Sequence, residues 1–349
     1  MKLSFFFLFI AIISLPSAKT QNTTTTPTVC NGYADLCSKP YSQVAFVATH
    51  NSYAYGGVPA INQFFDISTQ LKDGVRVFLL DGHNSTTGSD IELCHTSCVL
   101  LDTGTVANTL KNITSFLQKN PNEVITIFWE NYNNIDPLRY EAEYDKAGLT
   151  QYCFTQPVDG TWPTMAAIIQ SGKRVINFID TNANTNTVPW LMSEYSYVFE
   201  TPFQNSDANA WQCTVDRPKN KPQQMYMVNH FLYISLQGGS IEIPQPQSAA
   251  STNSDNLAKH VQNCTSIFDQ IPNFVAVDFY DQGQNNVNAF SIVAGLNKVT
   301  YTPQSYGNGT NPLATTGSKK NSASDLKVNG LFNAGIALVG VATFIIIGL

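Results

Sequence analysis

Six short apolar runs, rich in β-branched residues, recur through the middle of this 349-residue chain, at 44–50, 75–81, 124–130, 174–180, 225–233 and 274–280. They are nearly continuous rather than alternating, as in parallel strands covered on both faces. A seventh, shorter run lies at 197–199. Between them, residues 63–72, 106–119, 137–147, 164–170 and 256–270 carry apolar residues at helical spacing. Alternation of strand and helix without a long linker predicts an α/β fold, a closed (β/α) barrel in one domain over 26–300. An open doubly wound sheet for nucleotides is the competing arrangement, but the chain has no Gly-rich phosphate loop.

The two ends read as processing signals rather than fold. Lys2 precedes an apolar stretch at 3–15, and Pro16-Ser17-Ala18 supplies small residues for cleavage, so 1–20 is expected to be a signal peptide. Residues 301–330, rich in Ser, Thr, Asn and Gly, are a linker with too little apolar area to fold. Residues 331–349 are apolar and uncharged, with no basic flank after them. Small residues at Asn321-Ser322-Ala323 and a polar spacer make this a GPI-attachment signal, removed on anchoring. Asn321 is the expected attachment residue, with Gly317 and Ser318 as alternatives; a C-terminal transmembrane helix is the competing reading.

A secreted, surface-held glycoprotein agrees with the rest of the sequence. Sequons stand at Asn22, Asn84, Asn112, Asn263 and Asn308. Seven cysteines in an oxidising compartment imply disulfides with one thiol left over. Cys30 with Cys37 and Cys94 with Cys98 are near enough for local loops, while Cys153, Cys213 and Cys264 compete for one bridge. The formal charge of −6 and the absence of a basic stripe argue against nucleic acid as a partner.

The runs end on residues that carry chemistry. The first stops at His50-Asn51, the second at Asp81, the third at Glu130-Asn131 and the fourth at Asp180; the fifth contains Asn229-His230 and the last reaches Asp278. Strand C-termini of a (β/α) barrel converge on one face, where such enzymes keep their active sites. His95, in "IELCHTSC", follows a polar loop returning from the second run. Two histidines on one cavity can divide the proton transfers of a phosphoryl or acyl displacement. Asn and carboxylate oxygens beside them suit a hard cation. His83 and His260 are read as a loop residue and a helix-surface residue without a role. No G-x-S-x-G elbow supports serine chemistry. A glycosidase pair of Glu130 and Asp180 is conceivable but leaves the histidines unexplained.

The segments "THNSY", "DGVRVFLLDGH", "LCHTSC", "NEVITIFWENY", "GKRVINFID", "VNHF" and "NFVAVDFY" resemble the PLC-like phosphodiesterases, relatives of the X domain of phosphatidylinositol-specific phospholipase C. The similarity runs from about Cys30 to Leu296 and is strongest to secreted fungal members, which share "CNGYADLC" and "CTVDRP". The resemblance implies a distorted TIM barrel in which His50 and His95 cleave a phosphodiester. One histidine would assist attack of the inositol 2-hydroxyl on phosphorus, and the other would protonate the leaving diacylglycerol oxygen. It further implies that Asn51, Asp81 and Glu130 occupy calcium-ligand positions. The chain departs from that pattern at Leu79, where the calcium-dependent enzymes carry Glu.

The expectation is therefore a surface-anchored phosphoric diester hydrolase, a monomer assisted by Ca²⁺, acting on a phospholipid or another diester at a membrane. Arg217 in "CTVDRP" is expected to bind phosphate, with Asp180, His230 and Asp278 also facing substrate. Lys173 and Arg174 open a strand and belong to the stability face. The alternative, motivated by Leu79, is an impaired barrel that binds lipid or glycan, or serves in the cell wall, without turnover.

Overall fold

The computed structural model describes residues 26–56, 60–95, 97–236 and 241–307. The expected signal peptide, the linker beyond residue 307 and the tail, with Asn22, Asn308 and Asn321, lie outside the described residues; the first residues of the expected linker instead pack on the domain, Tyr306 stacking on Phe290 and Gln304 donating to the Asp73 carbonyl. In chain order the elements are β1 (Phe46–Thr49), α1 (Ile67–Asp73), β2 (Val77–Asn84), β3 (Ile91–Cys94), β4 (Asp102–Thr105), α2 (Val106–Lys119), β5 (Ile125–Asn131), α3 (Pro137–Ala147), α4 (Met165–Ser171), β6 (Val175–Ile179), β7 (Leu191–Ser193) and β8 (Val198–Glu200). There follow β9 (Met225–His230), β10 (Tyr233–Leu236), β11 (Ile241–Pro244), the single turn α5 (Ala249–Ser251), α6 (Leu257–Phe268), β12 (Phe274–Val277), β13 (Gly283–Gln284), β14 (Val287–Asn288) and α7 (Ala289–Asn297).

Eight parallel strands curl in the order β7-β6-β5-β2-β1-β12-β9-β8. All seven neighbouring pairs are parallel, so the expected barrel architecture holds. Full closure does not: β7 and β8 are consecutive in sequence yet do not pair, and the barrel stays open along that seam. Only the short turn Glu194–Ser196 and Tyr197 separate them, a connection too short to turn a strand back into parallel register. The fifth run divides, with β9 ending at His230 and 233–236 turning out into the β10–β11 hairpin.

The strand period of two separates two cores. Phe46, Ala48, Val77, Phe128, Ile176, Phe178, Met192, Val198, Met225, Met227, Phe274 and Ala276 fill the interior. Their neighbours in sequence, such as Val47, Phe78, Ile127, Val175 and Val275, face the helices. Tyr41 and Trp162, with ring centres 4.7 Å apart, plug the N-terminal end, where the Cys30–Cys37 disulfide also lies. Arg174 is buried there and donates to the carbonyls of Leu117, Asn120 and Glu123, as its strand-start position implied. Helix entries follow their local sequence: Asp66, Asp136 and Thr164 each cap a helix through a side-chain oxygen, and Asn288 and Ser291 form a capping box on α7.

Candidate active site

Each of the eight strands carries one polar residue two positions beyond an interior apolar one. Ala48 leads to His50, Leu79 to Asp81, Phe128 to Glu130, Phe178 to Asp180, Met192 to Glu194, Val198 to Glu200, Met227 to Asn229 and Ala276 to Asp278. Because side chains alternate faces, all eight belong to one ring at the C-terminal mouth. The ring surrounds a cavity floored by Leu79, Phe128 and Met227. Register confirms the layering, since Leu79 pairs with Phe128 and Asp81 with Glu130 across β2 and β5.

On one side of the ring His50 stacks on Phe231, with ring centres 3.7 Å apart and planes within 6°. Its Nδ1 lies 2.9 Å from Asp278 Oδ1, while Asn62 donates to both Asp278 oxygens at 3.1 Å. A proton on Nδ1 is therefore held by the carboxylate, and Nε2 is left as the basic position. Burial raises the Asp278 carboxyl despite His50 beside it. Asp278 thus orients His50 rather than lining the cavity, which corrects its expected role as a substrate contact.

His95 stands behind this wall. Its Nδ1 donates to the Ala60 carbonyl at 2.6 Å, and burial lowers its pKa to about 4. Its Nε2 lies 3.3 Å from the Asn51 amide, which also spans both Asp81 oxygens at 3.1 and 3.3 Å. With its nitrogen toward Asp81, the amide donates to both carboxylate oxygens, and its oxygen accepts from His95 Nε2 when that nitrogen carries a proton.

Asp81 is buried, accepts from Tyr53 Oη at 2.8 Å, and is raised well above the ordinary carboxylate range by burial and by Glu130. Glu130 opens to solvent at the mouth, yet the protein crowded around it raises its carboxyl too. An amide oxygen and two crowded carboxylates, both raised from their usual range, form the donor set that a hard divalent cation takes, with Asn51, Asp81 and Glu130 as its holders.

Two acids missed in the sequence line the far side, at the open seam. Glu194 and Glu200 end β7 and β8, strands of three residues each, too short to show a period. Glu200 Oε2 accepts from Arg217 and from Asn229 Nδ2, both at 2.7 Å. Burial would raise Glu200, but Arg217 and the hydrogen bonds from Glu194 and Asn229 bring it below the usual range. Glu194 is raised well above its usual range by burial and by Glu200 beside it. Arg217 also lies over the Phe203 ring, 4.2 Å from its centre. Asp180 lines the cavity between these acids and Glu130, raised by burial.

His230 is one residue out of register with this ring. It is fully buried, its Nδ1 2.9 Å from His260 Nδ1 and its Nε2 3.0 Å from the Thr252 carbonyl, so it does not face the cavity; Asn229 does. His260 is buried rather than on the helix surface, and His83 is a buried strand residue stacked on Tyr132. Cys94–Cys98 closes the loop that carries His95, and Cys213–Cys264 takes the third bridge, leaving Cys153 as a buried thiol. The sequon residues Asn84, Asn112 and Asn263 are exposed.

The sequence model of the family described as PI-PLC X 1 matches residues 36–297. A PI-PLC X domain-containing protein 1 from Arthroderma benhamiae is 36% identical over 284 residues, 78% of this chain and 90% of that protein. An uncharacterized secreted protein from the same fungus is 35% identical, over 82% of this chain and 67% of its own. Among solved structures, the phosphatidylinositol-specific phospholipase C of Listeria monocytogenes superposes with a TM-score of 0.52 at 15% identity, covering 76% of this chain and 96% of its own. The enzyme of that name from Staphylococcus aureus gives 0.54 at 15%, covering 76% and 95%. These two likenesses establish the shared fold.

Proposed function

The chain belongs to the PI-PLC X domain family, and from that premise we propose that it is a secreted phosphoric diester hydrolase of the phospholipase C type. The observation that carries the reading is His50, set on Asp278 and facing a cavity ringed by strand-end polar groups. His50 Nε2 takes the proton of the attacking hydroxyl, and Asp278 stabilises the imidazolium that forms. His95 would supply the proton to the leaving oxygen through Nε2, the nitrogen beside Asn51. It is a strong acid once charged, and a phosphodiester anion at the site favours that form. Asn51, Asp81 and Glu130 would hold calcium, which when bound supplies positive charge to a phosphate oxygen.

A lipid substrate suits the rim. Tyr55 and Ile234 are exposed apolar residues on segments that follow the parallel strands β1 and β9, at their mouth end, and Val99 is exposed in the loop between β3 and β4. Three disulfides accord with secretion, and anchoring through Asn321 would keep the enzyme at the surface of the plasma membrane or in the wall. The purified protein should cleave at least one of phosphatidylinositol, a GPI-type glycolipid and a simple glycerophosphodiester. Failure on all three with calcium present would refute the reading. Leu79 in the cavity floor favours one second reading, a barrel that binds such head groups without turnover.

A further inference from the structure

A second cavity lies away from the ring, between one face of α6 and the loop at 208–213. It is lined by Asn209, Trp211, Asn256, Lys259, His260 and Asn263. The Cys213–Cys264 disulfide ties its two walls together, so the cavity is formed by the fold itself. Trp211 packs on the buried histidine pair, its ring centre 3.8 Å from that of His230, and also lines the cavity. At the wall, Trp211 Nε1 and Asn256 Oδ1, one donor and one acceptor, have no partner in the protein.

Asn263, on the rim, begins the sequon Asn263-Cys264-Thr265. Its amide nitrogen makes only a 3.5 Å contact to the Cys213 sulfur, so a glycosidic bond there displaces no strong interaction. An N-acetylhexosamine offers an apolar ring face for an indole, with an acetamide carrying one acceptor and one donor. The exposed sequon at Asn112 lacks this arrangement, since the nearby Phe116 ring is already covered by Arg76 at 4.7 Å.

We propose that this cavity is a seat for an acetamido sugar, the first residue of an N-glycan on Asn263, stacked on Trp211 and paired with the two unpartnered atoms after a small rotation of their side chains.

The test uses the full chain secreted from a glycosylating host, with N22Q, N84Q, N112Q and N308Q leaving Asn263 as the remaining sequon. Endoglycosidase H trimming leaves one sugar on Asn263, whereas peptide N-glycosidase F removes it. Full removal should lower Tm by about 2 °C relative to the trimmed form, the shift expected for ~1 kcal/mol in a domain of this size. W211F should abolish that difference, and free N-acetylglucosamine should quench tryptophan fluorescence of N263Q but not of N263Q/W211F. An unoccupied Asn263 by mass spectrometry, or equal Tm values for the two treated forms, would overturn the glycan as occupant. Absence of quenching in N263Q would overturn the seat itself. Should W211F not fold, N256A serves in its place.

Discussion

The Asn51 amide lies 3.1 Å from Asp81 Oδ1, at the foot of the candidate catalytic histidines. Asp81 is buried and raised by Glu130 beside it, a crowding of carboxylates that a divalent cation would relieve. Calcium should therefore bind in calorimetry, and Asp81→Ala should weaken it at least about tenfold, or ~1.4 kcal/mol. Equal binding by wild type and the variant would place the ion elsewhere. No heat in wild type would refute a calcium site there.

His50→Ala and His95→Ala should each lower diester cleavage by roughly 10²-fold or more, the usual scale of a lost proton-transfer group. Asp278→Ala should act through His50 and add little in a His50→Ala background, because residues that work as a unit are non-additive. Rates measured for the single and double variants decide the point. Additive losses would separate Asp278 from His50.

The buried histidine pair makes stability depend on acid. His260 titrates near pH 4 when folded and near 6.5 when unfolded, so its contribution is complete above 6.5 and is lost as pH falls toward 4. Across that window the loss approaches ~3 kcal/mol for one group. Asp81, Asp278 and Glu194 are shifted upward and oppose this trend, gaining protons more readily when folded. His260→Asn should therefore flatten the fall in stability between pH 6.5 and 4 in denaturant titrations. An unchanged slope would contradict the assignment.

Gly82, directly after Asp81, has no room for a side chain: an added Cβ would lie 2.2 Å from the Tyr140 hydroxyl. Tyr140 is fully buried, so Gly82→Ala must shift either the α3 ring or the end of β2. We expect a loss of about 1–3 kcal/mol, measured by chemical denaturation. Wild-type stability in this variant would mean that Tyr140 yields freely.

Val99 and Ile234 project from the rim. Val99→Ser with Ile234→Ser should reduce partition onto phospholipid vesicles about tenfold, in line with the apolar area removed. Cleavage of a soluble short-chain diester should be unaffected. Unaltered vesicle binding would show that the domain meets its substrate by another surface.

Much of this architecture was legible because burial on both faces forces continuous apolar strands, and the strand ends announced His50, Asp81, Glu130, Asp180 and Asp278. Register was less legible. In the fifth run Asn229 and His230 are adjacent, and a one-residue choice decides which faces the cavity; the sequence offers no local cue, and the structure selects Asn229. Glu194 and Glu200 end strands too short to carry periodicity, so only tertiary placement reveals them. The helix Ala289–Asn297 was missed because its sequence, AFSIVAGLN, is apolar on nearly every face. The pairing of Cys213 with Cys264 required two segments 51 residues apart to be brought together, which spacing alone does not determine.

The polar ring is one residue deep and rests on an apolar layer that specifies the barrel. Each strand thus offers a single interchangeable slot for chemistry, seated above a foundation that need not change with it. A lineage can trade an acid for an amide, or an amide for a histidine, one strand at a time. Leu79 is different, because it belongs to the foundation. An acid restored there would sit against Phe128 and Met227 and would have to recruit the metal simply to remain ionised.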